Sequence, residues 1–351
     1  MDTTFSEVVK KVIAQYPMDA EQIYLLSYKG KKAVWSAQTN LGEVIIKKLP
    51  FDESQIAFMI HAVDYLRENG VHTPGIFKSN SGAGFVQVDH EYFVIFEAVY
   101  GRSPEYEHED ELVMIVEGMA SFHKASRGIE SPTGSFPSFL LTGWKSDLQK
   151  RYGRMLAWKQ QKSLLTDIKE FDRLFLENVD VFLKQCEATL SMLSHSYFDQ
   201  WVEETKVTKT LCHQDFAAGN LAIGDDGHLY VFDMDSLTVD LPVRDLRKII
   251  NKVMKKRPEW DVQLMLTMIK AYQGVNPLTK EQLLILAADI QFPHLFYGQV
   301  SKYYENKEEK WTPAKHIERL KEMIATELSK NTVVQAALAY LDEVVDYGKH
   351  K

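Results

Sequence analysis

Leu211-Cys212-His213-Gln214-Asp215-Phe216-Ala217-Ala218-Gly219-Asn220, followed by Leu229-Tyr230-Val231-Phe232-Asp233-Met234-Asp235, is the stretch that decides the fold. It sets a carboxylate, an amide five residues later and a second carboxylate thirteen residues beyond that. An apolar run leads into Asp233, and the turn Gly224-Asp225-Asp226-Gly227 precedes that run. Transfer of a phosphoryl group asks for this inventory: an aligned hydroxyl, held phosphates and metal to neutralise developing charge. Asp215, on a loop after an apolar strand, is suited to accept a hydroxyl proton. Asn220 offers an amide oxygen to Mg²⁺, and Asp233 is the main metal carboxylate. Asp235, two residues on, points to the same side if the strand continues. Hard oxygen donors of this kind suit Mg²⁺ rather than zinc. Singly, each of these residues reads as a turn cap; together, at these spacings between apolar runs, they read as one site.

The rest of the chain supplies a frame for that site. Its 351 residues are too many for one ordinary core, so two lobes are expected. The net charge of −8 argues against a nucleic-acid-binding surface. Only Cys186 and Cys212 occur, which excludes a disulfide framework and points to synthesis in a reducing cytoplasm. The start Met1-Asp2-Thr3-Thr4-Phe5-Ser6-Glu7 lacks the apolar core of a signal peptide. No run reaches the roughly 18 to 20 apolar residues of a membrane span.

Phe5, Val8, Val9, Val12 and Ile13 recur at helical spacing, predicting a lead-in helix over 5–15. Strands follow at 23–26, 33–39 and 43–48, with turns at 27–32 and 40–42, an antiparallel meander. A helix over 54–68 carries Ile56, Met59, Ile60, Val63 and Leu66 on one stripe and ends at Asn69-Gly70. Strands at 84–88 and 92–96 complete a five-stranded sheet. Residues 98–104 then break the pattern as a connector. Beyond it come a helix with Leu112, Ile115, Val116, Met119, Phe122 and His123 on one stripe, a loop over 128–137, and long helices over 144–200. Helices near 244–255, 260–273, 279–289 and 313–345 follow the site. The expectation is an α+β chain: a sheet lobe over 1–97, the connector, and a mostly helical lobe over 105–351 that holds the loop 211–235.

His213-Gln214-Asp215, Asn220 and Asp233-Met234-Asp235 resemble the motif of aminoglycoside phosphotransferases and choline kinases. Tyr92 to Arg102 resembles that family's hinge, Gly118 to His123 its first helix after the hinge, and Asp240 to Leu246 its later segment ending in Asp-Leu. More narrowly, Leu-Cys-His-Gln-Asp at 211–215 and Asp-Leu-Pro-Val-Arg-Asp-Leu-Arg-Lys at 240–248 resemble the CotS-type spore coat proteins of endospore-forming bacilli. The resemblance implies a bilobal, protein kinase-like fold, ATP and Mg²⁺ as cofactors, and transfer of the γ-phosphate to a hydroxyl acceptor. It also implies synthesis in the mother cell, assembly into the spore coat, and other coat proteins as partners. It places Asp215 and His213 in the catalytic loop, Glu97 at the hinge beside the cofactor, and Asp245 as support for the loop.

The resemblance puts Lys47 where the family's strand lysine pairs the α- and β-phosphates; Lys48 should face the other side of the strand. Gly30, among Lys29, Lys31 and Lys32, is the one glycine of the first hairpin turn. That turn reads either as a phosphate loop or as solvated hairpin lysines. The family's helix glutamate, partner of the strand lysine, has no counterpart: Met59 and His61 stand where it is expected. Asp64 is the substitute within reach. His213 reads as a backbone-bonding residue that holds Asp215, while His123 and Cys212 read as packed core residues. Trp144, Tyr152 and Trp158 read as core or interface aromatics, or as an acceptor pocket. Two functions are therefore expected, a phosphotransferase or a catalytically degenerate kinase that serves as a structural component of the coat.

Overall fold

Short runs of β-branched and aromatic residues, broken at Gly30 and Gly42, and longer amphipathic runs capped by Asp, Thr or Gly set the element order. The structure, a computed structural model, describes the backbone of residues 2–330 and side chains from residue 7 onward. Phe5 of the lead-in stripe and residues 331–345 of the expected last helix lie outside that description. In order come α1 (Asp2–Ile13), β1 (Ala20–Lys29), β2 (Lys32–Thr39), β3 (Gly42–Leu49), α2 (Glu53–Glu68), β4 (Val86–Val88), β5 (Glu91–Glu97), β6 (Gly101–Arg102), α3 (Glu109–Ala125) and β7 (Ser138–Phe139). Next are α4 (Trp144–Ser163), α5 (Glu170–Ser194), α6 (Phe198–Thr208), β8 (Leu211–Cys212), β9 (Leu221–Gly224), β10 (Leu229–Val231) and β11 (Thr238–Val239). The chain continues through α7 (Val243–Met254), α8 (Val262–Val275), α9 (Lys280–Gln291), α10 (His294–Tyr304) and α11 (Pro313–Leu328).

The described residues form two compact units, 2–139 with 208–239, and 140–207 with 240–330. The first holds an antiparallel five-stranded sheet in the order β1-β2-β3-β5-β4. On β3, Val44 and Ile46 turn into a core with Val9, Val12, Trp35, Phe93 and Ile95, so α1 covers that face, and the alternation lapses only at the strand's end, where Leu49 is buried. Ile45 and Lys47 therefore point the other way. The expected turn over 27–32 is much tighter than its sequence suggested. Lys29 pairs directly with Lys32, leaving only Gly30 and Lys31 in the turn; Gly30 supplies the positive φ of 60° such a turn requires. Two small sheets, β10-β9-β6 and β7-β11-β8, complete this unit beside α3.

α2 starts at a capping box, with Asp52 and Gln55 each bonded to the other's backbone, and buries Ile56, Met59, Val63 and Leu66. The second unit is helical. Its core draws on Phe171, Phe175, Phe182 and Phe296, all buried. α10 begins just after Pro293, in a stretch outside the expected helical spans, and the expected helix from 313 ends at Leu328 with Ser329 as its cap. No helix among the described residues is long and apolar enough to cross a membrane.

Candidate nucleotide and metal site

All the residues that assemble here belong to the first unit. β8 is only two residues long, pinned by pairing to β11 and by the Leu211 N–H donating to Ser126 Oγ at 2.9 Å. The chain then turns at Gln214, whose φ of 71° is left-handed, and this exposes Asp215. Buried His213 sits beneath the turn, with Nε2 2.7 Å from the Phe232 carbonyl oxygen. Its Nδ1 accepts the Asp215 N–H at 3.3 Å. One tautomer, with the proton on Nε2, meets both partners. His213 thus ties the loop that carries Asp215 to the strand that delivers Asp233.

The Ala218 N–H donates to Tyr106 Oη at 2.8 Å, a clamp that no local sequence signal announces. Asn220 Nδ2 donates to the Asp215 carbonyl at 2.9 Å and to Asp215 Oδ2 at 3.0 Å. The amide nitrogen is spent on Asp215, which leaves the amide oxygen for a cation. The backbone N–H of Phe232 closes the loop on the Asn220 carbonyl at 2.8 Å.

Asp235 reaches the site by a route other than the expected one. β10 ends at Val231, Asp233 is left-handed at φ 58° and ψ 59°, and Met234–Ser236 form a 3₁₀ turn. The strand cannot continue through that conformation, so Asp235 arrives by the turn and not by strand alternation. Asp233 Oδ1 accepts from Lys47 Nζ at 3.0 Å, and Asp235 Oδ2 from Lys32 Nζ at 2.8 Å. Asp235 is nearly buried, its side chain 5% exposed, and its Oδ1 accepts no hydrogen bond. Burial raises the Asp235 carboxyl above the ordinary range, with the neighbouring Asp233 charge adding to it and the two lysines opposing. Burial would raise Asp233 as well, but the Lys47 charge and hydrogen bond outweigh it and hold that carboxyl low.

Lys48 faces the other side of β3 and pairs with Glu91 at 2.6 Å. Asp64 does not stand in for the missing helix glutamate: it is paired with Lys78 at 3.0 Å. Lys78 takes the charge of Asp64, while Lys47 pairs with Asp233. Of the turn lysines, the sequence did not foresee Lys32's partner, which stands 203 residues away. Gly30 lies exposed at the hairpin tip, with nothing within 4 Å of the place a Cβ would occupy.

A cavity of about 220 Å³ opens beside this cluster, lined by Ile45, Lys47, Pro74, Phe96, the segment Glu97–Tyr100 and Phe232–Met234. Its lining combines the apolar Ile45, Pro74 and Phe96 with the charged Lys47 and Asp233, and the Lys47 ammonium lies 5.6 Å from the Phe96 ring centre. Glu97 does not aim its carboxylate freely into it: Oε2 accepts the Gly75 N–H at 2.7 Å and Arg67 Nη1 at 2.8 Å. Burial raises the Glu97 carboxyl, but these two donors outweigh it and keep it below its ordinary value. Glu97 thus fixes the connector's path, leaving the backbone of 97–100 along the cavity wall. Asp245 lies buried on α7, in the second unit. His123 and Cys212 are fully buried. Trp144 is core as well, its Nε1 donating to buried Asp240 at 2.7 Å, and Trp158 stacks on Tyr297. Tyr152 donates to Glu187 at 2.7 Å.

A family model described as "Spore coat putative kinase YutH" matches residues 10–337. The chain is 28% identical over 335 residues to Spore coat protein S of Bacillus subtilis (strain 168), covering 93% of this chain and 92% of that one. The crystal structure of an aminoglycoside phosphotransferase from Alicyclobacillus acidocaldarius is similar at a TM-score of 0.78 and 16% identity, covering 96% of both chains. Amicoumacin kinase, solved in complex with AMP-PNP, Ca²⁺ and Ami, is similar at a TM-score of 0.63 and 15% identity, covering 95% of each. With an antiparallel sheet before a mostly helical remainder, the fold is that of the kinase-like phosphotransferases, and the chain belongs to the family described as "Spore coat putative kinase YutH".

Proposed function

We propose that the protein binds Mg-ATP in the cavity between the 97–100 segment and Asp233 and transfers its γ-phosphate to a hydroxyl acceptor in the spore coat. The observation that carries this reading is that hydrogen bonds from His213 and Asn220 tie the Asp215 loop to Phe232, the residue before Asp233, while Asp233 and its partner Lys47 line the cavity. The donor set fits a hard divalent cation. Asp233 and the Asn220 amide oxygen are oxygen ligands, and buried Asp235 Oδ1 has no hydrogen-bond donor to satisfy it. When bound, Mg²⁺ would neutralise charge on the phosphates. Asp233 and Asn220 would hold it, with Asp235 behind them.

The protein's own groups do the rest. The apolar lining of the cavity, Ile45, Phe96 and Phe232 among it, takes a flat base, and Lys47 takes phosphate oxygens. Asp215, held by the Asn220 amide and the His213 ring, accepts the acceptor's hydroxyl proton and orients its oxygen for attack. His213 is a positioning residue, since both of its ring nitrogens are occupied by the backbone. Synthesis in the mother cell, followed by assembly among other coat proteins, gives the place of action. Nucleic acid has no part in it.

A second reading rests on α2. No carboxylate from that helix reaches Lys47, which is instead drawn onto Asp233. A kinase with this lysine misplaced serves the coat as a scaffold. Two measurements separate the readings: melting of the protein with millimolar Mg-ATP, and phosphate transfer from labelled ATP to coat extract. A melting shift lost in Asp233→Asn, with transfer lost in Asp215→Ala, supports the enzyme. A shift without transfer in the wild type leaves the scaffold, and no shift at all removes the nucleotide from the account.

A further inference from the structure

The β2–β3 register pairs Val34 with Lys47 and Ala33 with Lys48. Side chains two residues apart on a strand share a face. Lys32 therefore stands on the same face as Val34 and Lys47, one step nearer the hairpin turn. Its ammonium lies 5.4 Å above the Phe51 ring and 2.8 Å from Asp235 Oδ2. The site thus holds two lysines from adjacent strands, each paired with one carboxylate of the same short turn. The two differ in freedom: the Lys32 side chain is 45% exposed, that of Lys47 18%. On the α2 side, Gln55, Phe58 and Met59 line a cavity of about 50 Å³ with Asp235.

Resting on the nucleotide reading above, we propose that Lys32 is a second phosphate-positioning residue, held on Asp235 until a triphosphate arrives and then bonded to its terminal phosphate oxygens. Three features support this. Lys32 is paired with Asp235, two residues from the carboxylate that Lys47 holds, so its charge already stands beside the place where metal and phosphate would meet. Its long stem and partial exposure let the ammonium move without disturbing β2. With Asp233 and Asn220 as the ligands and Asp235 behind them, Asp235 would be drawn toward the cation and away from Lys32, whose ammonium would then have phosphate oxygens as new partners. The arrangement also offers an answer to the missing helix glutamate, because the carboxylates that hold the lysines in place come from the 233–235 turn.

Calorimetric titration of the full chain with Mg-ATP and, separately, with adenosine tests this, using wild type, Lys32→Met and Lys32→Arg. A lost charge-assisted hydrogen bond weakens binding about tenfold. Lys32→Met should therefore bind Mg-ATP about tenfold more weakly while adenosine affinity stays within about twofold. Lys32→Arg should recover most of the loss. Equal or tighter Mg-ATP binding by Lys32→Met overturns the proposal and leaves Lys32 as a mere partner of Asp235. A wild type that binds neither ligand overturns the nucleotide reading, and this inference with it. Melting curves of each variant show whether the fold is kept. If Lys32→Met melts early, Lys32→Gln supplies the same comparison.

Discussion

At the scale of single residues, the site depends on backbone conformations that side chains rarely adopt. Gln214 and Asp233 are both left-handed, at φ 71° and 58°, and each costs on the order of 1 kcal/mol. The strain persists because neighbours fix both turns: His213 bridges the two segments, and Lys47 holds the Asp233 carboxylate. His213→Phe fills the same space but deprives the Phe232 carbonyl and the Asp215 N–H of their partner. We expect it to lower stability by about 2–3 kcal/mol in urea unfolding. Asp215→Ala should act differently. Exposed and outside the core, its carboxylate contributes little to stability, so melting should shift by under about 1 kcal/mol while phosphate transfer falls about 10²- to 10⁴-fold. Retention of full transfer by Asp215→Ala would remove it from the base role.

At the scale of elements, what matters is how closely short strands must approach. β6 pairs with β9 through Gly101 and Gly224, and a Cβ on Gly101 would overlap the Ile223 carbonyl oxygen. Backbone cannot swing aside as a side chain can. Gly101→Ala should cost about 2–3 kcal/mol and loosen the connector that walls the cavity proposed for the nucleotide, read as a lower melting point and weaker Mg-ATP binding together. α2 gives the milder contrast. Asp52→Ala removes its capping box, and a loss of about 1 kcal/mol is expected with ligand binding unchanged. An equal loss of binding in Asp52→Ala would show that α2 orients the lysines after all. The elements themselves were largely legible, since hydrophobic period located the sheet strands and α2 to within a few residues. Shorter strands such as β6 and β11 were not, because two residues carry no period.

At the scale of the whole molecule, the second unit carries a buried charged group whose protonation couples to folding. Asp289 accepts from Arg247 Nε at 2.9 Å and lies 2.9 Å from His294 Nε2, while His294 Nδ1 lies 3.2 Å from Arg151 Nη1. Burial pushes His294 down to about 3, with Arg247 and Arg151 reinforcing this and Asp289 opposing it. Burial would raise Asp289, but Arg247 and His294 hold it low. The unfolded chain's histidine takes up a proton near pH 6.5 while the native one stays neutral. Below that pH the unfolded state binds more protons, so stability falls as pH falls, by up to about 1.4 kcal/mol per unit. Melting between pH 7.5 and 5 should decline in the wild type and decline less in His294→Asn. Equal slopes would mean that another group governs the acid limb.

The sequence by itself determined the element pattern, the kinase-like fold and the Asp215, Asn220 and Asp233 spacing. All of these are local: period, turn chemistry and intervals of a few residues survive without knowledge of the fold. Only the tertiary structure decided the charge pairing. It joined Lys47 to Asp233 across 186 residues and Lys32 to Asp235 across 203, and it gave Asp64 to Lys78. It also replaced the expected continuation of β10 with a left-handed residue and a 3₁₀ turn. The reason is physical: which cation meets which carboxylate depends on which face of a strand turns inward and on how close distant segments come. Neither is written in the residues that lie between them.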